Sequence, residues 1–134
     1  MESLNDDRKI NVYLTQKCSN LYSLICTKDS DNCIYVFGIS GVKRMMYNIL
    51  KECETQKLRD NIKIFIDLRC IKGKLDDYYI LCDNLKSGYL WSMKGKYKEY
   101  YIEPPKIYVF SNILPKLNLL THDKLNIKRI DENI

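Results

Sequence analysis

The chain has 134 residues, which is the length of one domain, enough to bury a single hydrophobic core and too little for two. Hydrophobic residues make up 46% of it and aromatic residues 11%, a composition that excludes an intrinsically disordered protein. The formal net charge of +5 suits a polyanionic partner but is also typical of a solvated lysine-rich surface, so charge alone assigns no ligand.

The cysteines and the single histidine argue against the usual metal and covalent chemistry. The six cysteines contain no CxxC pair and His122 is the only histidine, so no zinc site is expected. A single histidine also leaves little basis for a histidine-based triad, and no GxSxG sequence is present. Because neither a signal peptide nor a membrane anchor is visible, we expect free thiols and an intracellular protein, nuclear or cytoplasmic and not secreted.

The first half of the chain predicts a lead-in followed by half of a βαβ unit. Residues 1–31 are expected to lie outside the core and to be partly helical, with a helix at about 15–26. CIYVFGISG, from Cys33, is typical of a buried parallel strand that feeds a tight glycine turn. VKRMMYNILKECETQK, from Val42, then places its apolar residues on one helical stripe.

The second half predicts two further buried strands, a helix and a hairpin. IKIFIDLRC is a strand that delivers Asp67 near its end, and DDYYILCDNLKSG is a helix that stops at Gly88. Aromatic runs on both sides of MKGK predict a β-hairpin with Gly95 in its turn. PPKIYVFSN is the next buried strand and LNIKRI a candidate last one, so residues 32–134 are predicted to form an α/β core with a mostly parallel sheet.

Polar residues follow the predicted strands where open α/β sheets bind ligands, outside the carboxyl ends of the strands. Asn112 ends one strand, where its amide would hold a water or a phosphate, although Ser and Asn also commonly begin turns. Asp67 ends another, as a magnesium carboxylate or, in a structural role, as a partner of Arg69.

The sequence GISGVK has the position of a phosphate-binding loop, between a strand and the N-terminus of a helix. Its spacing departs from GxxxxGK[ST], because Val42 replaces the second glycine and Arg44 replaces the hydroxyl that would bind magnesium. The candidate nucleotide-binding residues are Gly38, Ser40, Gly41 and Lys43.

The hairpin combines lysines with aromatic residues. Such a mixture suits a single-stranded DNA or RNA, whose phosphates need cations and whose bases need stacking surfaces. A surface lysine cluster above core tyrosines is the alternative. The candidate nucleic-acid-binding residues are Lys94, Lys96, Tyr97 and Lys98.

From Cys33 to Ile130 the order of these motifs resembles the superfamily 3 helicase domain of the replication initiator (Rep) proteins of circular single-stranded DNA viruses. IYVFGISG corresponds to the Walker A strand and loop, IFIDLR to Walker B, and NLKSGYLWSMKGKYKEYYIEPP to the hairpin. PPKIYVFSN corresponds to motif C. The resemblance implies a P-loop, AAA-like three-layer sandwich that binds ATP and magnesium, unwinds DNA and assembles as a ring of identical subunits.

Residue by residue, the resemblance makes Lys43 the lysine of the β- and γ-phosphates, Asp67 the magnesium carboxylate and Asn112 the residue that positions the attacking water. It places Lys94, Lys96 and Tyr97 on a hairpin that tracks DNA inside the ring. The chain departs from the family in its shortened Walker A loop and in Lys124, where the family usually has arginine.

The family's nicking domain has no counterpart here, since no histidine pair and no Tyr-x-x-Lys sequence occurs. We therefore expect a degenerate Rep-like domain that retains nucleotide or single-stranded nucleic-acid binding with weak or absent ATPase activity. Two alternatives stay open: an active but divergent viral replication helicase, and a non-enzymatic binding or structural module in a nucleoprotein assembly.

Overall fold

A five-stranded sheet forms the centre of the chain in the computed structural model, which describes residues 9–15, 32–37, 41–69, 71, 74–114 and 124–129. The elements are β1 (Ile10–Leu14), β2 (Cys33–Val36), α1 (Val42–Gln56), β3 (Lys63–Asp67), α2 (Asp76–Lys86), β4 (Tyr89–Ser92), β5 (Lys98–Tyr101), β6 (Lys106–Ser111) and β7 (Leu125–Arg129). The strand order is β2-β3-β6-β1-β7, and every neighbouring pair is parallel.

The predicted fold class is confirmed by this architecture. Strands β4 and β5 form a separate antiparallel sheet, which is the predicted hairpin, inserted between α2 and β6. A parallel sheet with helices and a hairpin insertion is compatible with a P-loop-like sandwich. Neither of the two helices in the described part of the chain has the length and apolar composition that crossing a membrane requires.

Strand β1 is the element that the sequence analysis missed. Residues 1–31 were expected to lead into the core, yet Ile10–Leu14 pairs with β6 on one side and β7 on the other. All five of its residues are buried, including Asn11, whose side-chain amide donates to the carbonyl of Ile107 at 3.3 Å. Beyond Thr15, the helix predicted over 15–26 lies outside the described residues.

The two faces of the sheet carry different residues because side chains alternate along a strand. On one face, Ile and Val residues of β1, β2, β3 and β6 pack against the buried stripes of α1 and α2. On the other face, a mainly aromatic cluster is buried, in which the rings of Phe65 and Tyr108 stack with centroids 4.8 Å apart. This separation decides which predicted site residues can meet.

The hairpin is fastened to the C-terminal end of α1 and to the residues that follow it. The hydroxyl of Tyr100 donates to the carbonyl of Leu58 at 2.8 Å, and the guanidinium of Arg59 lies 3.9 Å from the centre of the Tyr100 ring. Arg59 also donates to the carbonyl of Tyr101 at 2.8 Å. These contacts hold the base of the hairpin against the helix and leave its turn projecting.

Two glycines with positive φ provide a matched test of this packing. A Cβ at Gly88 would stand 2.1 Å from the carbonyl oxygen of Ile102, whereas a Cβ at Gly95 would meet no atom within 4 Å. We expect Gly95→Ala to lower the free energy of unfolding by about 1–2 kcal/mol through backbone strain alone. Gly88→Ala should lower the free energy of unfolding by clearly more, as measured by urea unfolding. Equal decreases for the two variants would show that the contact with the Ile102 carbonyl is relieved easily.

Candidate functional site

The strand order places the topological switch point of this sheet at the carboxyl ends of β1 and β6. The chain leaves β1 toward β2 at one edge of the sheet, returns through β3 and β6, and then passes beyond β1 to β7. The adjacent strands β1 and β6 therefore send their connections in opposite directions. In open α/β sheets such a switch point is where ligands bind.

Asn112 lies at this switch point, directly after β6. The preceding residue, Ser111, is buried and donates its hydroxyl to the carbonyl of Ile113 at 2.9 Å, while the amide of Ile113 donates back to it at 3.1 Å. This local pattern closes a turn, as the alternative interpretation of the Ser-Asn pair proposed. On the α2 side, Tyr79 places a buried hydroxyl beside that of Ser111.

Asp67 ends β3 in a close pair with Arg69. The Nε atom of Arg69 lies 3.0 Å from one carboxylate oxygen of Asp67 and its Nη2 atom 3.0 Å from the other, and the Arg69 amide also donates to the carboxylate at 2.9 Å. Both side chains are largely shielded from solvent, at 10% and 13% exposure. The fork-to-fork geometry is the strong form of a charged hydrogen bond, so this carboxylate is engaged structurally.

Of the predicted phosphate-binding residues, the structure describes Gly41 and Lys43, at the N-terminus of α1. Gly38 and Ser40 fall outside the described residues, and the predicted loop follows β2, which is an edge strand of the sheet. Gly41 begins α1 with φ +106°, and its amide donates to the hydroxyl of Tyr78 at 2.7 Å. One amide that a phosphate would need at this helix N-terminus is thus bonded within the fold.

The described residues do not fit a magnesium-ATP site. The Asp67 carboxylate is bonded to Arg69, the Gly41 amide is bonded to Tyr78, and Arg44 stands where a hydroxyl ligand is required. In the described ranges no group of three or more His, Cys, Asp or Glu residues is placed to hold a metal ion. Asp67 also occupies a strand position that alternates away from the helices, whereas Lys43 is on α1.

Lys43 instead meets the hairpin. Lys43 and Arg44, in the first turn of α1, line a cavity of about 310 Å³ together with Trp91, Met93 and Lys94. The ammonium group of Lys94 lies 4.4 Å from the centre of the Tyr47 ring on α1, which directs it toward this helix. Two residues predicted for different ligands, Lys43 for nucleotide and Lys94 for nucleic acid, therefore border one cavity.

A second cavity of about 270 Å³ adjoins the first, because both are lined by Lys43, Met46 and Trp91. Its far wall is one face of α2, since residues 77, 80, 81 and 84 follow the i, i+3, i+4, i+7 spacing. We call the two cavities together the Trp91 groove. Its walls are mainly apolar, Arg44 and Lys94 lie at the end near the hairpin turn, and Lys43 borders both cavities.

The outer face of the hairpin carries a network of tyrosines around one carboxylate. The hydroxyls of Tyr97 and Tyr101 donate to the two oxygens of Glu99 at 2.7 and 3.0 Å, and the hydroxyl of Tyr89 bonds to that of Tyr97. The hydrogen bond from Tyr97 and then that from Tyr101 lower the pKa of the Glu99 carboxyl. Tyr97 and Tyr101 remain 50% and 60% exposed, so their rings are accessible for stacking.

The remaining predicted hairpin lysines differ in their surroundings. Lys94 and Lys96 are exposed in and beside the turn. Lys98 lies in β5, and its ammonium group is 3.3 Å from a carboxylate oxygen of Glu54 on α1. The structure therefore brings Lys94 close to Lys43 and assigns Lys98 a partner of opposite charge.

The buried thiols offer no nucleophile. Burial raises the pKa of Cys53 and of Cys82 to about 12, so both are protonated at neutral pH. Cys33, Cys53 and Cys82 are free cysteines within the hydrophobic core.

Sequence reasoning overlooked the central residues of the Trp91 groove. Trp91 was noted only among the aromatic residues of the hairpin and Arg44 only as a departure from a motif. A sequence signal existed, because a basic pair opens a helix without any acidic residue in its first turn. Positive side chains at a helix N-terminus oppose the helix dipole, so a bound anion would stabilise them there.

A comparison with known protein families finds no matching family model, and comparisons with curated proteins and with solved structures find no match. The resemblance to Rep helicase domains therefore depends on the sequence motifs alone.

A double-mutant cycle tests the structural role of Asp67. Asp67→Ala and Arg69→Ala should each lower the free energy of unfolding by about 1–3 kcal/mol, since each leaves a shielded charge without its partner. The double variant should lose less than the sum, with a coupling of about 1 kcal/mol or more. The exposed Lys98–Glu54 pair is the control, with an expected coupling below about 0.5 kcal/mol. Additive losses at Asp67 and Arg69 would contradict the pairing.

An NMR pH titration tests the tyrosine network. In Tyr97→Phe the largest cause of the shift is removed, so the pKa of Glu99 should rise toward its ordinary value. Because the carboxyl pKa is lower in the folded state, Glu99 stabilises that state at pH values above the unfolded pKa. This stabilisation is lost as the pH falls through the folded pKa. Tyr101→Phe should move the pKa of Glu99 less, and an unchanged pKa in both variants would show that the hydroxyls do not bond to Glu99 in solution.

Proposed function

We propose that this chain is a single-stranded nucleic-acid-binding module on a P-loop-like α/β fold, and that it does not depend on hydrolysis of magnesium-ATP. The observation that carries the proposal is the meeting of Lys43, Arg44 and Lys94 around Trp91. Proteins that bind single strands combine a cationic track for the backbone with aromatic faces for the bases, and the hairpin region has both.

The charges near the hairpin turn favour a polyanion. Among the described residues that line the cavity of Lys43, Arg44 and Lys94, none is acidic, and Lys96 adds a further exposed cation in the turn. Tyr97 and Tyr101 extend the aromatic surface along the outer face of the hairpin. A flexible strand lying over the turn would place phosphates on the lysines and bases on the rings.

The geometry favours this module over an active ATPase. A catalytic magnesium site would need the Asp67 carboxylate that Arg69 holds, and a phosphate loop would need the Gly41 amide that bonds to Tyr78. Binding of a strand at the hairpin uses neither group. The ring of subunits that the resemblance implies stays a prediction.

Fluorescence anisotropy with a labelled single-stranded oligonucleotide tests the proposal. In Lys94→Ala/Lys96→Ala we expect weaker binding and a salt dependence whose log–log slope falls by about 0.7 for each lost phosphate contact with a single strand. Lys98→Ala is the matched control, because Glu54 already neutralises that lysine, and it should change the slope less.

Two results would count against the proposal. Either the unmodified chain binds no strand at low salt, or Lys98→Ala weakens binding as much as the double variant does. Lys43→Ala provides a further check, since its side chain lines the same cavity as Lys94 and its loss should weaken strand binding without added ATP or magnesium.

A further inference from the structure

We propose that the Trp91 groove holds one unstacked nucleotide of the bound strand, with its base between α1 and α2 against Trp91 and its phosphate among Lys43, Arg44 and Lys94. This inference rests on the proposed function and deepens it, because it assigns one nucleotide to a defined place rather than a strand to a surface. Its ligand is a base joined to a phosphate.

The shape of the groove suits a ligand with two unlike ends. Lys43, Met46 and Trp91 line both cavities, so a ligand can extend from one into the other past the indole. The volumes, about 310 and 270 Å³, are near the lower limit of small-molecule sites, about 300 Å³, so each suits a small group such as one base.

The end of the groove near the hairpin turn is prepared for an anion. Lys43 and Arg44 occupy the first turn of α1, where no acidic residue offsets them and where the helix dipole also attracts negative charge. The ring of Tyr47 positions the Lys94 ammonium group toward the same place. Neither Lys43 nor Arg44 has an ion-pair partner among the described residues, so a phosphate would supply it.

The other end of the groove is prepared for a base. Trp91 offers a broad face, and Ile80, which is 43% exposed, supplies apolar surface on the opposite wall. Asp77 and Asn84 lie one helical turn to either side of Ile80 on the same face of α2. A carboxylate only accepts hydrogen bonds, so Asp77 would receive an N–H of the base, either the exocyclic amine of adenine, cytosine or guanine or the ring N–H of guanine, thymine or uracil.

Trp91 is the only tryptophan in the chain, so its emission reports directly on the groove. We would titrate the chain with oligo-dA, oligo-dC, oligo-dT and a wholly abasic strand of equal length and charge. We expect quenching with all three base-containing strands and none with the abasic strand, which should bind about tenfold more weakly. These arms change only the ligand, so no folding defect can produce the result.

A pair of substitutions on α2 separates base reading from general charge. Asp77→Asn should reduce the preference for oligo-dA over the abasic strand, because the amide replaces one of the two acceptor oxygens with an NH2 group that cannot accept from the adenine amine. Asp83→Asn removes the same charge from the same helix, but Asp83 pairs with Lys124 at 3.4 Å and does not line the groove. It should leave the preference unchanged.

The outcomes are distinguishable from those of the proposed function. Absence of Trp91 quenching by every strand, with tighter binding of base-containing strands and the dependence on Lys94 and Lys96 both intact, would overturn the nucleotide assignment alone. Absence of binding by every strand would overturn the proposed function as well. Quenching by free AMP or ATP as strong and as tight as by a strand would overturn the assignment to a strand and identify a free nucleotide as the occupant.

Discussion

The pairing of β1 with β6 and β7 is the constraint on which the other features depend. Residues 10–14 align with 107–111 on one side and with 125–129 on the other, so the first described strand holds together strands from the end of the chain. Without it, β7 would have no neighbour in the sheet and the switch point would not exist. Such long-range parallel pairing costs chain entropy. The stabilising contacts that offset this cost are complete only when β1 is paired with both β6 and β7.

Elements with a continuous pattern could be predicted from the sequence, and β1 shows why others could not. The apolar runs of β3 and β6 and the single apolar stripe of α1 each fit one periodicity. INVYL is short and contains Asn11, a polar residue that tolerates burial because its amide reaches the Ile107 carbonyl and its oxygen accepts from Asn126 at 2.8 Å. The hydrogen-bond partners that allow Asn11 to be buried lie about 100 residues away in the sequence, so no local pattern reveals them.

The sequence predicted only part of the candidate site and did not predict its grouping. Lys43 and Lys94 were both expected to bind phosphate and both line the Trp91 groove, whereas Trp91 and Arg44 were not among the candidate residues. Asp67 forms the pair with Arg69 that was the structural alternative to a magnesium site. The reason is geometric, because the order and register of the strands decide which face a side chain lies on and which strands are at the edge of the sheet. The order of motifs along the chain specifies neither the face of a side chain nor the position of its strand.

The attachment of the hairpin to α1 has a mechanical consequence. Tyr100 and Arg59 fix the base of the hairpin, and the Lys98–Glu54 pair adds a contact further along the helix. The α1 stripe is in turn packed on the sheet. The hairpin is therefore tied to the sheet through α1 as well as through its own connecting residues, so a displacement of its base would also displace the helix.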